Sequence, residues 1–439
     1  MRVFQGGSVL AQDRLALALA PALTPGGLVA SPWFFSGFAV YPQVLARGLV
    51  TLADVTATRY FQFRPQALRD PVLTAQGDRL RAECFSACNS VYARLDLLDA
   101  GLDGGEIGHG TTNVDLGSEL RAALSRVGRE QLLHLAVGRE GLTISRLEET
   151  VAERPVQMPD RWVRALGNAA ELHHGLAPAF RVGAAPARAF IATLPAATGQ
   201  ARSGWLTWTP TGVELAARRT AGAVFVAGSH RLSAVKRLLV NVEGLTVYGP
   251  EGGDPGPALV EFSLPVARLW LGLTEEAWRG HSGEGALLAS LAGPTVVEDA
   301  DLVSALLAFE PVIDVPRLAR QAGLPEARVA AALAVLAASG RVGWDAHDAA
   351  HFHRELPDDP DRVAKDNPRL VAAQKLVDAV VRLSPGEWAA PSGEGDHHVH
   401  YDPAEGLGQA RCTCAWYLRH LAGRGPCKHM LAVRLKERT

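Results

Sequence analysis

The chain has 439 residues, of which 48% are hydrophobic and 21% charged, with a formal net charge of −2. Its length exceeds one ordinary core and implies roughly two to four domains. The composition excludes a disordered chain, and no apolar run reaches the roughly 18 to 20 residues that a membrane-spanning helix needs.

An apolar stretch at 15–23 follows Arg2, as a secretory leader would, but Asp13 and Arg14 abut it and an acid there is wrong for a leader. Residues 1–296 alternate strand-like and helix-like patterns without a repeat, an α+β body that could comprise two lobes. Strands and hairpins are predicted over 79–97, 132–146 and 204–216, the last turning at Thr209, Pro210 and Gly212. Leu232, Val235, Leu238, Leu239 and Val242 recur at helical spacing and predict an amphipathic helix over 230–242. Strands at 245–248 and 258–264 follow, separated by the Gly/Pro-rich turn 249–257.

Residues 297–357 have a different grammar. Helices are predicted at 301–309, 315–322 and 325–339, the third opened by Pro325 and Glu326 and stopped by Gly340. Strand-like 341–344 and 350–352 flank a turn at 345–347. Three helices followed by a wing resemble the winged-helix domain. Residues 358–395 read as a helical linker: Asp358, Asp359 and Asp361 beside Pro357 and Pro360, a helix over 362–383 interrupted near Pro368, then a Pro/Gly/Ser-rich loop at 384–395.

The tail, 396–439, carries the chemistry. Five cysteines are sparse for this length, and Cys412, Cys414 and Cys427 fall within the last 28 positions. Disulfide scaffolds spread pairs through short secreted chains, so clustered thiols beside a histidine fit a metal and a reducing, cytoplasmic compartment. Strands are expected at 399–401 and 409–414; on a strand, Cys412 and Cys414 face one way and Thr413 the other. A short helix at 415–422, stopped by Gly423 and Gly425, precedes a last helix introduced by Pro426. In mid-helix, Cys427 and His429 would point about 200° apart, so the pair works only with Cys427 at the helix entrance and His429 in its first turn. Three thiolates and one imidazole match the closed tetrahedral site of one structural zinc ion, with no position left for water and hence none for hydrolysis.

Cys412-x-Cys414, twelve intervening residues and Cys427-x-His429, in strand–strand–helix–helix order, resemble the SWIM zinc finger. The resemblance implies a ββαα finger that holds zinc and binds DNA or protein. The competing reading is three buried cysteines and a core histidine. The stretches 85–96, 110–115 and 279–285 are similar to long bacterial SWIM-containing proteins, and scarce lysine beside abundant Arg, Ala and Gly fits a GC-rich bacterial genome. That likeness implies an adaptor working with a MoxR-type ATPase and a von Willebrand-type partner.

Other polar groups compete for attention. Cys84 and Cys88 could form half a metal site, but no histidine neighbours them in sequence and core placement is expected. His420 is expected to pack rather than to ligate. His397, His398 and His400, with His351 and His353, could hold a second metal or be solvated. The polar, glycine-flanked segments 111–115 and 282–285 suit active-site loops or capped turns, yet no base–nucleophile pair or phosphate loop is readable, so no enzyme is expected.

Charge in the tail is more informative. From Gly406 onward Arg411, Arg419, Arg424, Lys428, Arg434, Lys436 and Arg438 face Glu437 alone. A basic patch beside an exposed Trp416 or Tyr417 suits phosphate contact and base stacking; a solvated basic face is the alternative. The third helix of 297–357 has Arg328 as its only base and lacks Gln, Asn and Lys. Reading base edges needs such donors and acceptors, so this helix is expected to pack against protein.

Overall fold

The computed structural model describes residues 9–11, 14–16, 22–24, 27–29, 33–60, 71–138, 141–146, 149–156, 160–199, 202–281, 296–354, 356, 367–393, 395–421 and 425–437. Arg424, Arg438, the 282–285 segment, the aspartates of 358–361 and part of the 15–23 stretch lie outside them.

Strand Arg79–Phe85 pairs antiparallel with Val91–Leu98. Because strand faces alternate, this register sets Leu80 against Leu97 and Ala82 against Leu95 on one face, and Arg81 against Asp96 and Glu83 against Arg94 on the other. The pair sits inside an eight-stranded antiparallel sheet. Its order is His109–Asn113, Val72–Gln76, Arg79–Phe85, Val91–Leu98, Ala267–Leu273, Ala258–Leu264, Gly244–Pro250 and Leu176–Gly183. Helix Pro42–Ala57 covers the apolar face, and Gly48 permits the approach: a Cβ there would lie 2.6 Å from Leu95 Cδ2. A five-stranded sheet, built around Trp33–Ala39 and His134–Gly138, packs into the same core.

Residues Ser229–Asn241 form a 3-10 helix rather than the expected α-helix. Leu232, Val235 and Leu238, spaced by three, are all fully buried. A three-residue turn stacks such a series on one line, whereas an α-helix would spread it.

The charged face of the large sheet is not solvated. Strands Val342–Asp345 and Ala350–His353 form a hairpin that lies over it. Asp345, 0% exposed, meets Arg81 at 2.6 Å and Arg94 at 3.1 Å. Arg354 pairs with Glu83, which also accepts from the Tyr92 hydroxyl at 2.7 Å. The Phe352 ring receives the Arg81 guanidinium at 4.0 Å, with those of Arg94 and Arg354 at 5.5 and 5.4 Å. The arginines hold the Asp345 carboxyl far below the usual carboxylate range despite its burial.

Helices Val296–Leu306, Val315–Ala322 and Glu326–Ala338 precede this hairpin. The last is mostly buried and crosses helix Asp160–His174, where Gly167 admits it: a Cβ would sit 2.6 Å from the Ala337 carbonyl oxygen. Arg328, the base of that helix, is tied to Asp299 by two hydrogen bonds of 2.8 and 2.6 Å.

The 367–393 stretch holds less helix than expected, namely Pro368–Gln374 and the single turn Val377–Ala379. Strands Val381–Ser384 and Glu387–Ser392 then begin a four-stranded antiparallel sheet completed by Gly395–His400 and Arg411–Cys412. The loop expected over 384–395 is therefore mostly strand. The Pro385-Gly386 pair makes the turn, Gly386 adopting φ +78°, and Ser384 faces Glu387 across it. Helix Lys428–Glu437 backs the sheet, and its Met430, Leu431 and Val433 share one apolar cluster with Val303, Leu333 and Leu336. Among the described residues no helix is long and apolar enough to cross a membrane.

Candidate metal centre

Strand Arg411–Cys412 pairs with Gly395–His400, placing Cys412 opposite Val399. The strand ends there, two residues earlier than expected, but the backbone stays extended through Cys414 (φ −73°, ψ 153°). Alternation therefore holds past the ladder. Thr413 turns outward and closes both of its bonds on His398, accepting from its N–H at 3.0 Å and donating to its carbonyl at 3.1 Å. Cys414 is the N-cap of helix Ala415–His420, its sulfur accepting from the Tyr417 N–H at 3.4 Å. Cys427 immediately precedes helix Lys428–Glu437, and His429 lies in its first turn.

The ligand atoms of Cys412, Cys414, Cys427 and His429 all lie within 4.8 Å of one another, and all four residues are buried. His429 Nδ1 stands 3.8 Å from Cys412 Sγ and 4.0 Å from Cys427 Sγ. A tetrahedron with Zn–S of about 2.3 Å sets neighbouring ligand atoms roughly 3.8 Å apart, so the spacing fits.

Electrostatics points the same way. Hydrogen bonds from Cys412 and Cys427 hold the Cys414 sulfur far toward the thiolate, and the same thiol contacts with burial push Cys412 up. Three crowded sulfurs cannot all ionise without a cation among them, and a divalent ion that prefers thiolate and imidazole removes the conflict. The donor set fits zinc. His429 Nε2 is buried without a hydrogen-bond partner among the described residues, and the His397 ring lies 4.5 Å from the His429 ring.

The SWIM zinc finger family matches residues 397–436. This module is a SWIM zinc finger. A comparison with curated proteins returns no match. Among solved structures, the proliferating cellular nuclear antigen of Entamoeba histolytica is 12% identical, with a TM-score of 0.36, and the match covers 55% of this chain and 98% of that one. The PCNA2-PCNA3 complex of Sulfolobus tokodaii is 10% identical, with a TM-score of 0.39, covering 55% of this chain and 99% of that one.

Around the SWIM finger the basic residues divide. Arg411 and Arg419 are exposed, whereas Lys428, Arg434 and Lys436 are half-covered on a helix whose other positions are mainly core. Trp416 is also half-buried, with the Arg369 guanidinium over its ring at 4.4 Å and the His420 ring at 4.5 Å. His420 thus packs on Trp416 and is not among the clustered ligands. Sequence reasoning missed Arg369, which also donates to the Pro426 carbonyl at 2.8 Å, just before Cys427.

The other histidines do not converge. His351 stacks on His174 beside Trp344, and His353 accepts from the Phe309 N–H at 2.7 Å, both within the hairpin over the large sheet. His400 pairs with Glu387 at 2.8 Å. Among the described residues the Cys412–His429 group is the only cluster of three or more such ligands that could hold a metal. Cys84 is buried in the body's core.

Proposed function

We propose that this is a non-enzymatic, zinc-stabilised binding protein whose SWIM finger holds one zinc ion and engages nucleic acid through a basic edge. The supporting observation is the finger's charge. Residues 397–436 carry Arg411, Arg419, Arg424, Lys428, Arg434 and Lys436 against Asp402 and Glu405, with Arg411 and Arg419 open to solvent. Phosphate contacts release counterions, so affinity for a nucleic-acid duplex or single strand should fall steeply with salt. Binding that is unchanged between low and moderate salt would end this reading.

A second reading is a protein adaptor, working with a MoxR-type ATPase and a von Willebrand-type partner. Leu418 and Leu421 favour it: they are 68% and 61% exposed and flank Arg419. The 297–357 region, read as winged-helix-like, fits this role better than base recognition, because Arg328 is taken by Asp299 and the wing lies against the sheet. Pull-down at endogenous level separates the two. Recovery with the ATPase, lost in Leu418→Asp, supports the adaptor; recovery alone with salt-sensitive nucleic-acid binding supports the first reading.

A further inference from the structure

Two of the four ligands lie just outside regular elements. Cys414 caps helix Ala415–His420, which has six residues and buries none of them. A helix so short does not hold itself in water. Cys427 stands outside helix Lys428–Glu437, immediately after Pro426. The outer two ligands differ: Cys412 is fixed by its ladder to Val399, and His429 by a helix whose Met430, Leu431 and Val433 are core.

Arg369 reaches both inner arms. It lies on helix Pro368–Gln374, half-buried and ahead of the 397–436 span that the SWIM family matches. Its guanidinium sits over the Trp416 ring at 4.4 Å, and its Nη1 donates to the Pro426 carbonyl at 2.8 Å. Trp416 is two residues beyond Cys414, and Pro426 is the residue before Cys427. One side chain therefore touches the chain next to each inner ligand.

The chemistry of both contacts suits arginine. A planar guanidinium offers its face to an aromatic ring and its N–H fork to a carbonyl at the same time, which a compact ammonium does less well. Proline has no backbone N–H, so the carbonyl is the one polar backbone group by which Pro426 can be held. The helix that carries Arg369 is itself anchored, because its Leu370 and Ala373 are buried in the apolar cluster that holds Cys412, Cys414 and Cys427.

We propose that Arg369 is a positioning residue for the metal centre, tying the Cys414 arm to the Cys427 arm at ligand spacing and making helix Pro368–Gln374 part of the zinc-binding unit. The inference rests on the finger holding zinc, as proposed above. Its consequence is kinetic. With the arms tied, a sulfur that leaves the ion stays beside it and rebinds before the other ligands let go. Without the tie either arm swings away, and the ion escapes sooner.

The experiment loads the full-length chain with zinc and follows release to excess pyridylazoresorcinol, with cobalt(II) substituted in parallel to read the coordination. Arg369→Leu should release zinc about tenfold faster, the lower end for residues that orient metal ligands, while its cobalt form keeps the tetrahedral thiolate bands of wild type. Arg369→Lys should recover part of the slow release, since an ammonium meets the ring or the carbonyl. Trp416→Leu should also speed release, and the double variant of Arg369→Leu with Trp416→Leu should fall short of the product of the two single effects, because both cut one tether. Unchanged release in Arg369→Leu, no recovery in Arg369→Lys, or a double variant equal to that product would each overturn the proposal. Should Arg369→Leu fail to load, Arg369→Gln takes its place in the same cycle. A wild-type chain without stoichiometric zinc would overturn the zinc reading itself, and this inference with it.

Discussion

Arg81 and Asp345, separated by 264 residues, meet at 2.6 Å with both side chains fully buried. Asp345 also faces Arg94, and together with Asp96 it balances the two guanidinium groups from neighbouring strands. Removing one partner from a buried pair leaves an uncompensated charge and costs about 3–5 kcal/mol. Asp345→Ala should therefore lower the unfolding free energy by that amount, and the loss should persist in high salt because buried pairs are poorly screened. Chemical denaturation of wild type and variant at two ionic strengths measures it; a change below about 1 kcal/mol would mean the ion pairs are solvated.

Metal removal should have a regional effect. Cys414→Ser takes away both a ligand and the cap of helix Ala415–His420, and structural zinc sites contribute folding energy outright. The variant, or chelator-treated wild type, should lose stoichiometric zinc and expose Trp388 and Trp416 near the finger, while Trp270 in the large sheet stays buried. Metal analysis with tryptophan fluorescence reads both. Full zinc occupancy in Cys414→Ser would contradict the ligand assignment.

Acid should weaken the body through its histidines. Burial pushes His281 down to about 4 and His351 down to about 3, and His173 falls well below its ordinary value for the same reason. Each binds a proton more readily when unfolded, so stability is full above the ordinary histidine value of about 6.5 and declines as pH falls from there toward 4. Every tenfold difference in proton affinity between the two states is worth about 1.4 kcal/mol. Denaturation of His281→Gln against wild type should show a shallower decline between pH 6 and pH 4; identical slopes would mean His281 is protonated in the folded state.

Nucleic-acid affinity should separate the two bases in solvent from the one that is paired. Arg411→Ala and Arg419→Ala together should weaken binding and reduce the salt slope by about 1 for each phosphate no longer neutralised. Arg328→Ala should leave affinity unchanged, since that guanidinium is already held by Asp299. Fluorescence anisotropy across a salt series measures both. A tenfold drop in Arg328→Ala would reverse the assignment of the third helix.

Much of this was legible because it is local. The hairpins at 79–97, 132–146 and 204–216 follow from period-two patterning and turn residues, and the four ligands of the finger follow from two short spacings fixed by strand alternation and a helix entrance. The strands Val381–Ser384 and Glu387–Ser392 carried a readable signal, the Pro385-Gly386 turn, which the surrounding polar composition concealed.

What the sequence hid was non-local. Arg79–Phe85 and Val91–Leu98 alternate charge with apolar residues, and such a pattern ordinarily marks a solvated face. Here that face is covered by a hairpin that brings its own complementary charges, and nothing near Arg81 in the chain announces Asp345. The division of the basic residues was hidden likewise, because the burial of helix Lys428–Glu437 depends on helices roughly a hundred residues earlier.

The docked hairpin also determines how the molecule can be taken apart. A cut between residues 281 and 296 would leave Arg81, Arg94, Glu83 and Asp96 on one fragment and Asp345 and Arg354 on the other, parting Asp345 from its two arginines and Arg354 from Glu83. The cut would also open to water the apolar crossing of helices Asp160–His174 and Glu326–Ala338 and the buried Phe352 ring, so the N-terminal body and the module that carries the finger should be expressed, purified and assayed as one piece.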